Sequence, residues 1–270
     1  MTSSMSTDVP DEVLEFLDGH DMWHEPYRDL LSLRPNMTVG EAYRCQFALM
    51  DRRAATGDAI VGYKAAGTTR SARELLGDGI SPVVGTLMRS VLMDEGATFA
   101  VRPGKTFIEA EIAVLLGRDL SGPGVTYFDA ISAIEGYLPA MEISPWSPAV
   151  LAKKRSQQHL LATQKTTGSI VVGRSVARPS IDLRYEGAVV EVNGEVVATG
   201  AGAEVMGDPI NVVVALANNL AKFGRALRAG MIVMTGSVAE PLPADENLTE
   251  ARVTFSRLGS LGVRFVGTDR

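Results

Sequence analysis

The sequence predicts an α+β protein with a helical N-terminal section followed by a β-rich body. Before about residue 57, apolar residues recur at helical spacing, and from Ala59 to Val266 short β-branched runs alternate with Gly, Pro and Asp. The 270 residues are 46% hydrophobic and 21% charged, which suits a chain that buries a sizeable core. We therefore expect a folded protein rather than a disordered one.

The N-terminal section, residues 1–57, is expected to be helical. Val13, Leu14 and Leu17 follow the spacing of one helix face. Further along, Thr38 followed by Glu41 has the form of a capping box, in which each side chain satisfies a backbone N–H of the other at the start of a helix. A second helix is therefore predicted to begin there.

The body, residues 58–270, is expected to be mostly strands, and we treat both sections as one functional unit. Helical interruptions are predicted near residues 71–76, 127–133, 156–163 and 209–223. The clearest local signal is Asn193-Gly194 between two β-branched runs, because Asn and Gly tolerate the positive φ angles of a two-residue hairpin turn. A β-hairpin is predicted at this position.

Charge and composition narrow the class of partner. With 26 Lys and Arg against 32 Asp and Glu, the net charge is −6, so the basic surface of a nucleic-acid-binding protein is not expected. No apolar run has the length of a membrane span, and the N-terminus does not resemble a targeting signal. The single cysteine, Cys45, suits a reducing compartment. We expect a cytoplasmic protein with a small-molecule partner.

Three embedded carboxylates form a candidate metal site. Glu109 and Glu111 lie two apart in an apolar strand, so period-two geometry puts both on one face. A second apolar segment ends in Glu142. Buried carboxylates need a compensating cation, and Mg²⁺ or Mn²⁺ prefers oxygen ligands. The alternative for Glu109 and Glu111 is a strand with one face in solvent.

Two further segments could contact an anionic ligand. Lys64 lies in a short apolar strand between glycines, where it could reach a carboxylate-rich pocket, although a surface lysine is an equal alternative. At the end of another apolar run, Thr235 and Gly236 offer hydroxyl and backbone donors suited to a carboxylate, with an ordinary strand-ending turn as the alternative.

These segments occur in an order that resembles the 2-keto-4-pentenoate hydratase / 4-oxalocrotonate decarboxylase branch of the fumarylacetoacetate hydrolase superfamily. The motifs are Gly62-Tyr-Lys64, Gly85-Thr-Leu87, Ile108-Glu-Ala-Glu-Ile-Ala113, Leu138-Pro-Ala-Met-Glu142, Gly207-Asp-Pro209 and Thr235-Gly236. The resemblance implies a mixed β-roll, Mg²⁺ or Mn²⁺ held by the three glutamates, and a homo-oligomer. It also implies a 2-oxo or 2-hydroxydienoic acid substrate that chelates the metal near Lys64.

Two positions depart from the pattern of this family. Val83 stands two residues before Gly85, where hydratases of this type usually carry Asp. The Ala-Asp-Asn element of the family is replaced by Ala162-Thr-Gln-Lys-Thr-Thr-Gly168, which removes a carboxylate and adds Lys165. We therefore expect a retained metal centre in an altered pocket, with Val83 and Lys165 near the substrate.

The function implied is that of a metal-dependent lyase. Hydration of a 2-hydroxydienoic or 2-oxo-enoic acid through a metal-stabilised enolate is the first prediction, because the global pattern is nearest to the hydratases. Decarboxylation of a 4-oxalocrotonate-type acid is the alternative that Val83 favours. A relative with altered catalysis, which acts on a non-standard substrate or serves as a binding module, is a further alternative.

Overall fold

A computed structural model describes residues 9–19, 28–76, 82–101, 106–145, 155–164 and 167–267. It confirms the predicted α+β class with a helical N-terminal section. The described residues of this section contain three helices: α1 (Asp11–Asp18), α2 (Leu30–Leu33) and α3 (Val39–Ala55). The predicted capping box is present at the start of α3, where Thr38 and Glu41 bond reciprocally.

The body contains the predicted helical interruptions. They are α4 (Arg70–Leu76), α5 (Tyr127–Ala133), α6 (Gln157–Thr163) and α7 (Pro209–Ala221). Asp208 caps α7 by accepting from the backbone N–H of Ile210, and Pro209 occupies the first turn, where its missing N–H is not needed. Short 3₁₀ turns cover Arg89–Val91, Leu183–Tyr185 and Gly202–Glu204.

The strands of the described residues form two sheets of mixed direction. Their bounds are β1 (Ile60–Ala66), β2 (Val83–Met88), β3 (Leu92–Met93), β4 (Thr98–Val101), β5 (Thr106–Leu116), β6 (Ile134–Pro145), β7 (Ser169–Val172), β8 (Gly187–Val192), β9 (Glu195–Ala201), β10 (Ile232–Ser237), β11 (Leu242–Pro243), β12 (Glu250–Phe255) and β13 (Gly259–Gly267). The larger sheet has the order β2-β1-β10-β5-β6-β7-β3, with β11 also paired to β5, and the smaller has β4-β13-β12-β8-β9.

Most neighbouring strands are antiparallel, whereas the β1–β10, β3–β7 and β4–β13 pairs are parallel. This mixture agrees with the predicted β-roll. The predicted hairpin is also present, since β8 and β9 pair across Asn193 and Gly194, whose φ angles are 51° and 84°.

The two faces of β5 meet different surroundings. Ile108, Ala110 and Ile112 lie in the main hydrophobic core. The alternate residues point to the opposite face of the large sheet, so Glu109 and Glu111 share that face with Ala113. Ala113 belongs to a second, smaller apolar cluster, which consists of Leu87, Ala113, Leu138, Ala140, Ile170 and Met234. The carboxylates therefore lie next to an apolar surface.

Helix α3 is tied to the body through Gln46, which is 1% exposed. Its Nε2 donates to the carbonyl oxygens of Val84 in β2 and Leu161 in α6, at 3.1 and 2.7 Å. These bonds join three elements that are distant in sequence. The division of the chain after residue 57 remains a prediction, because the N-terminal helices share their core with the body.

In the part of the chain that the structure describes, no helix is both long enough and apolar enough to cross a membrane.

Candidate metal centre

The three predicted glutamates converge in the structure. Strands β5 and β6 pair so that Glu109 stands directly opposite Glu142, with Glu111 two residues further along the same face of β5. One carboxylate oxygen from each glutamate lies within 4.8 Å of the others. Glu111 and Glu142 are both 1% exposed, and Glu109 is half-buried. A cluster of this kind offers three oxygen ligands from a rigid pair of strands.

Glu109 and Glu142 are each oriented by a hydrogen-bond donor that sequence reasoning missed. The Ser144 hydroxyl donates to Glu109 Oε1 at 2.7 Å, and the Gly168 N–H donates to Glu142 Oε1 at 2.7 Å. Ser144 carried a usable signal, because it lies two residues after Glu142 and so shares its face of β6. Gly168 comes from another segment, and only the fold brings it here.

Lys64 reaches into the cluster rather than into solvent. It is 8% exposed, and its Nζ donates to Glu142 Oε1 at 2.7 Å. Burial alone would lower the pKa of Lys64, but attraction to Glu142 and then to Glu109 outweighs burial and raises the pKa above its ordinary value. The lysine is therefore a cation held against the carboxylates, and the surface-lysine alternative is wrong.

Three ionised carboxylates would carry more negative charge than one lysine can neutralise. Burial, followed by repulsion from Glu142, raises the pKa of Glu109 to about 7. Burial and the neighbouring carboxylates Glu142 and Glu109 likewise raise the pKa of Glu111 well above its ordinary value. A hard divalent cation would satisfy the three oxygens and offset the charge, so the residues present fit such a metal.

Thr235 and Gly236 lie at the same site, but their donors are already used within the protein. The Thr235 hydroxyl donates to the Ile112 carbonyl at 2.8 Å, and Gly236 N–H donates to Glu111 Oε2 at 2.8 Å. Gly236 has a φ of 100°, and a Cβ there would lie 2.1 Å from Thr68 Oγ1. In the structure this turn orients Glu111, and a direct bond to substrate remains a prediction.

Val83 and Lys165 were the two other predicted substrate contacts. Val83 is half-buried and pairs with Ala66 of β1, while Gly85, on the same face of β2, pairs with Lys64. Val83 therefore lies two residues along β2 from Gly85, the residue that pairs with Lys64. Its side chain has no polar atom. Lys165 lies outside the described residues. Glu135, at the start of β6, is exposed and separate from the cluster.

Metal binding is expected to release protons and to weaken as the pH falls below about 7. The raised pKa values of Glu109 and Glu111 mean that the metal-free cluster holds protons that a cation must displace. Calorimetric titration with Mg²⁺ in two buffers of different ionisation enthalpy would measure the release. It should be larger at about pH 6 than at about pH 8, and an affinity that stays constant over this range would contradict the expectation.

A family model and individual relatives match this chain. The model described as "Fumarylacetoacetate (FAA) hydrolase C-terminal" matches residues 58–266. A 4-oxalocrotonate decarboxylase of Pseudomonas putida is 34% identical over 256 residues, which cover 93% of this chain and 92% of the relative. A 2-hydroxyhexa-2,4-dienoate hydratase of Comamonas testosteroni is 32% identical over 214 residues, covering 78% of this chain and 80% of the relative.

A solved structure matches over nearly the whole chain. It is the 4-oxalocrotonate decarboxylase from Pseudomonas putida G7, complexed with magnesium and adipate. The TM-score is 0.84 at 29% sequence identity, over 96% of this chain and 99% of the matched one. The mixed β-roll that the family resemblance implies is thus confirmed at the level of the whole fold. Together with the family match over residues 58–266, these findings show that the chain belongs to the fumarylacetoacetate hydrolase family.

Proposed function

We propose that this protein is a divalent-metal-dependent lyase that adds water to a 2-hydroxydienoic or 2-oxo-enoic acid, as 2-keto-4-pentenoate hydratase does. The observation that carries the proposal is the buried cluster of Glu109, Glu111 and Glu142 with Lys64 bonded to it at 2.7 Å. Relatives named as dienoate hydratases support the same chemistry.

The glutamates and the lysine of the cluster would have different roles. The three glutamates would hold Mg²⁺ or Mn²⁺, a cation that supplies Lewis-acid stabilisation of the charge that develops on the keto oxygen of a 2-oxo acid. Lys64 Nζ is a buried donor beside the same oxygens, so it can neutralise a substrate carboxylate or move a proton as the enolate forms. The apolar cluster next to the carboxylates, which includes Leu138 and Met234, limits access of bulk water.

Decarboxylation of a 4-oxalocrotonate-type acid is the second candidate. Val83 favours it, because a valine can neither give nor take the proton that water addition requires. The decarboxylase relative that covers 93% of the chain also favours it. The two activities share the enolate, so they are separated only by what happens at the distal end of the substrate.

One assay pair tests both candidates. If the protein is a hydratase, its Mg²⁺-loaded form should consume a 2-hydroxydienoate. The loss of the ultraviolet absorbance of the dienoate measures this reaction. The protein should release CO₂ from 4-oxalocrotonate if it is a decarboxylase. A metal-loaded protein that does neither would contradict the lyase assignment and leave the binding-module alternative.

Replacing Val83 with Asp is expected to raise the rate of dienoate hydration about tenfold, since a carboxylate at this half-buried position can exchange a proton with the attacking water. The measurement is the ratio of two kcat values, that for dienoate hydration and that for CO₂ release. Val83→Asn is the matched control, because it adds polarity without an ionisable group. Equal rates for the Asp and Asn variants would show that proton transfer at this position is not limiting.

We further infer that the enzyme works in the cytoplasm as a homo-oligomer. Cys45 is a buried free thiol, which suits a reducing compartment. The aromatic side chains of Phe128 and Tyr185 are 79% and 74% exposed, so association would remove apolar surface from water. Sedimentation at micromolar concentration is expected to give a species larger than 28.8 kDa, and a monomer alone would contradict the inference.

A further inference from the structure

Gln164 carries a buried amide nitrogen that has no hydrogen-bond partner among the described residues. The residue is 9% exposed, and its Nε2 is unpaired. Its Oε1 accepts a hydrogen bond from the backbone N–H of Thr86 at 2.5 Å, which fixes the orientation of the amide, because an N–H donor must face the oxygen. An unpaired buried donor destabilises a protein, so a ligand oxygen that reached Gln164 Nε2 would relieve this cost.

The amide of Gln164 lies beside the Lys64 side chain. A Cβ atom placed on Gly85 would lie 3.1 Å from Gln164 Oε1, 2.9 Å from Lys64 Cγ and 3.3 Å from Lys64 Cε. Gly85 pairs with Lys64 across β1 and β2. The side chains of Gln164 and Lys64 therefore both pack against Gly85, which is possible because residue 85 has no side chain. The Lys64 ammonium extends from there to Glu142.

A second buried glutamine shows what a purely structural amide looks like in this protein. Both hydrogen bonds from Gln46 Nε2 go to carbonyl oxygens, and Gln46 Oε1 accepts from the Thr86 hydroxyl at 3.3 Å. Gln46, a residue of α3, meets the Thr86 side chain, which points to the face of β2 opposite that of Gly85. Gln164 differs because only its oxygen is used, while its Nε2 has no hydrogen-bond partner in the part of the chain that the structure describes.

We propose that Gln164 is a specificity-determining residue whose Nε2 donates a hydrogen bond to a substrate oxygen beyond the two that reach the metal. The inference rests on the proposed function, since it needs a metal-chelating acid in the site. Gln164 would select acids whose tail carries a carboxylate or carbonyl oxygen over acids with an alkyl tail. Only an acid with such an oxygen can accept a hydrogen bond from the buried donor. Val83, which also departs from the family pattern and lies near Lys64, offers such an oxygen no hydrogen-bond partner.

The test compares two unreactive acids of equal chain length on the Mg²⁺-loaded protein. 2-Oxoadipate has a terminal carboxylate and 2-oxohexanoate has a methyl group in its place, while oxalate has only the chelating end. The unchanged protein is expected to bind 2-oxoadipate about tenfold more tightly than 2-oxohexanoate in calorimetric titrations. Gln164→Leu should remove this preference and leave the affinity for oxalate unchanged.

Two further variants separate recognition from folding. Gln164→Glu keeps the oxygen that accepts from Thr86 but replaces the donor with an acceptor, so it should reverse the preference by repelling the terminal carboxylate. Gln46→Leu removes a structural amide on the other side of β2, so it should lower the melting temperature and keep the preference. A preference that survives in both Gln164 variants would overturn the assignment.

The outcomes also separate this inference from the proposed function. If oxalate fails to bind the unchanged Mg²⁺-loaded protein, the metal-chelating site itself is refuted, and the role of Gln164 falls with it. If oxalate binds but the unchanged protein does not distinguish 2-oxoadipate from 2-oxohexanoate, only the role of Gln164 is overturned.

Discussion

Replacing Glu142 with Gln is expected to lower the affinity for Mg²⁺ by at least about a hundredfold and to reduce turnover to background. Glu142 stands opposite Glu109 in the strand register, and its Oε1 also receives Lys64 Nζ and the Gly168 N–H. The amide keeps the shape of the side chain but removes one negative charge and turns one oxygen into a donor. Calorimetric titration of the metal-free variant with Mg²⁺ measures the loss directly.

The control for this experiment lies in the same strand. Glu135 is exposed at the start of β6, apart from the cluster, so Glu135→Gln changes the net charge by the same amount without touching the site. Its Mg²⁺ affinity should equal that of the unchanged protein. Glu109→Gln and Glu111→Gln should both weaken binding as well. Unchanged metal binding in Glu142→Gln, or an equal loss in Glu135→Gln, would show that the metal is held elsewhere.

The carboxylate pair of this site was predictable because its geometry is local. Glu109 and Glu111 share a face by the period of a single strand, which a sequence displays directly. The addition of Glu142 needed only that β5 and β6 be neighbours, which their apolar character and the family resemblance both indicated. The structure confirms that Glu109 and Glu142 face each other.

Two groups that surround the cluster, Gly168 and Gln164, were not predictable in the same way, in contrast to Ser144. Gly168 reaches Glu142 from the segment before β7, and Gln164 lies beside Lys64 at the end of α6. Both contacts join residues far apart in the chain. Glycine and glutamine occur throughout sequences, so neither residue type indicates a functional position by itself. Thr235 and Gly236 illustrate the opposite problem: their donors were visible in the sequence, but their use within the protein, on Ile112 and Glu111, was not.

In the fold as well, local features were predictable from the sequence and long-range pairings were not. The hairpin at Asn193-Gly194 and the cap at Thr38 were predictable, since turn and cap chemistry depend on a few adjacent residues. The order of strands in the large sheet was not, because β1 pairs with β10 across most of the chain. Only the resemblance to a known family indicated a roll, which is information about global packing that local patterns do not contain.

Replacing Lys64 with Met is expected to lower kcat and kcat/KM together by about a hundredfold. The ammonium is buried against Glu142, and its raised pKa keeps it charged, so it is available to charge that develops during the reaction. Methionine has a similar length and no charge, so it removes the donor while it largely preserves packing. Lys222→Met is the matched control, because Lys222 is exposed and bonded only to Asn219 in the described structure.

The same variant separates three roles for the lysine. If Lys64 acts on charge that exists only in the transition state, kcat falls and KM changes little, whereas a lysine that only binds the substrate carboxylate would raise KM alone. A lysine that merely neutralises the carboxylates would behave differently again. Its removal leaves Glu109, Glu111 and Glu142 without a competing cation, so Mg²⁺ affinity should rise or hold steady while activity survives. A Lys64→Met protein that binds Mg²⁺ as tightly as the unchanged enzyme and turns over at its full rate would therefore exclude Lys64 from the enolate-forming step.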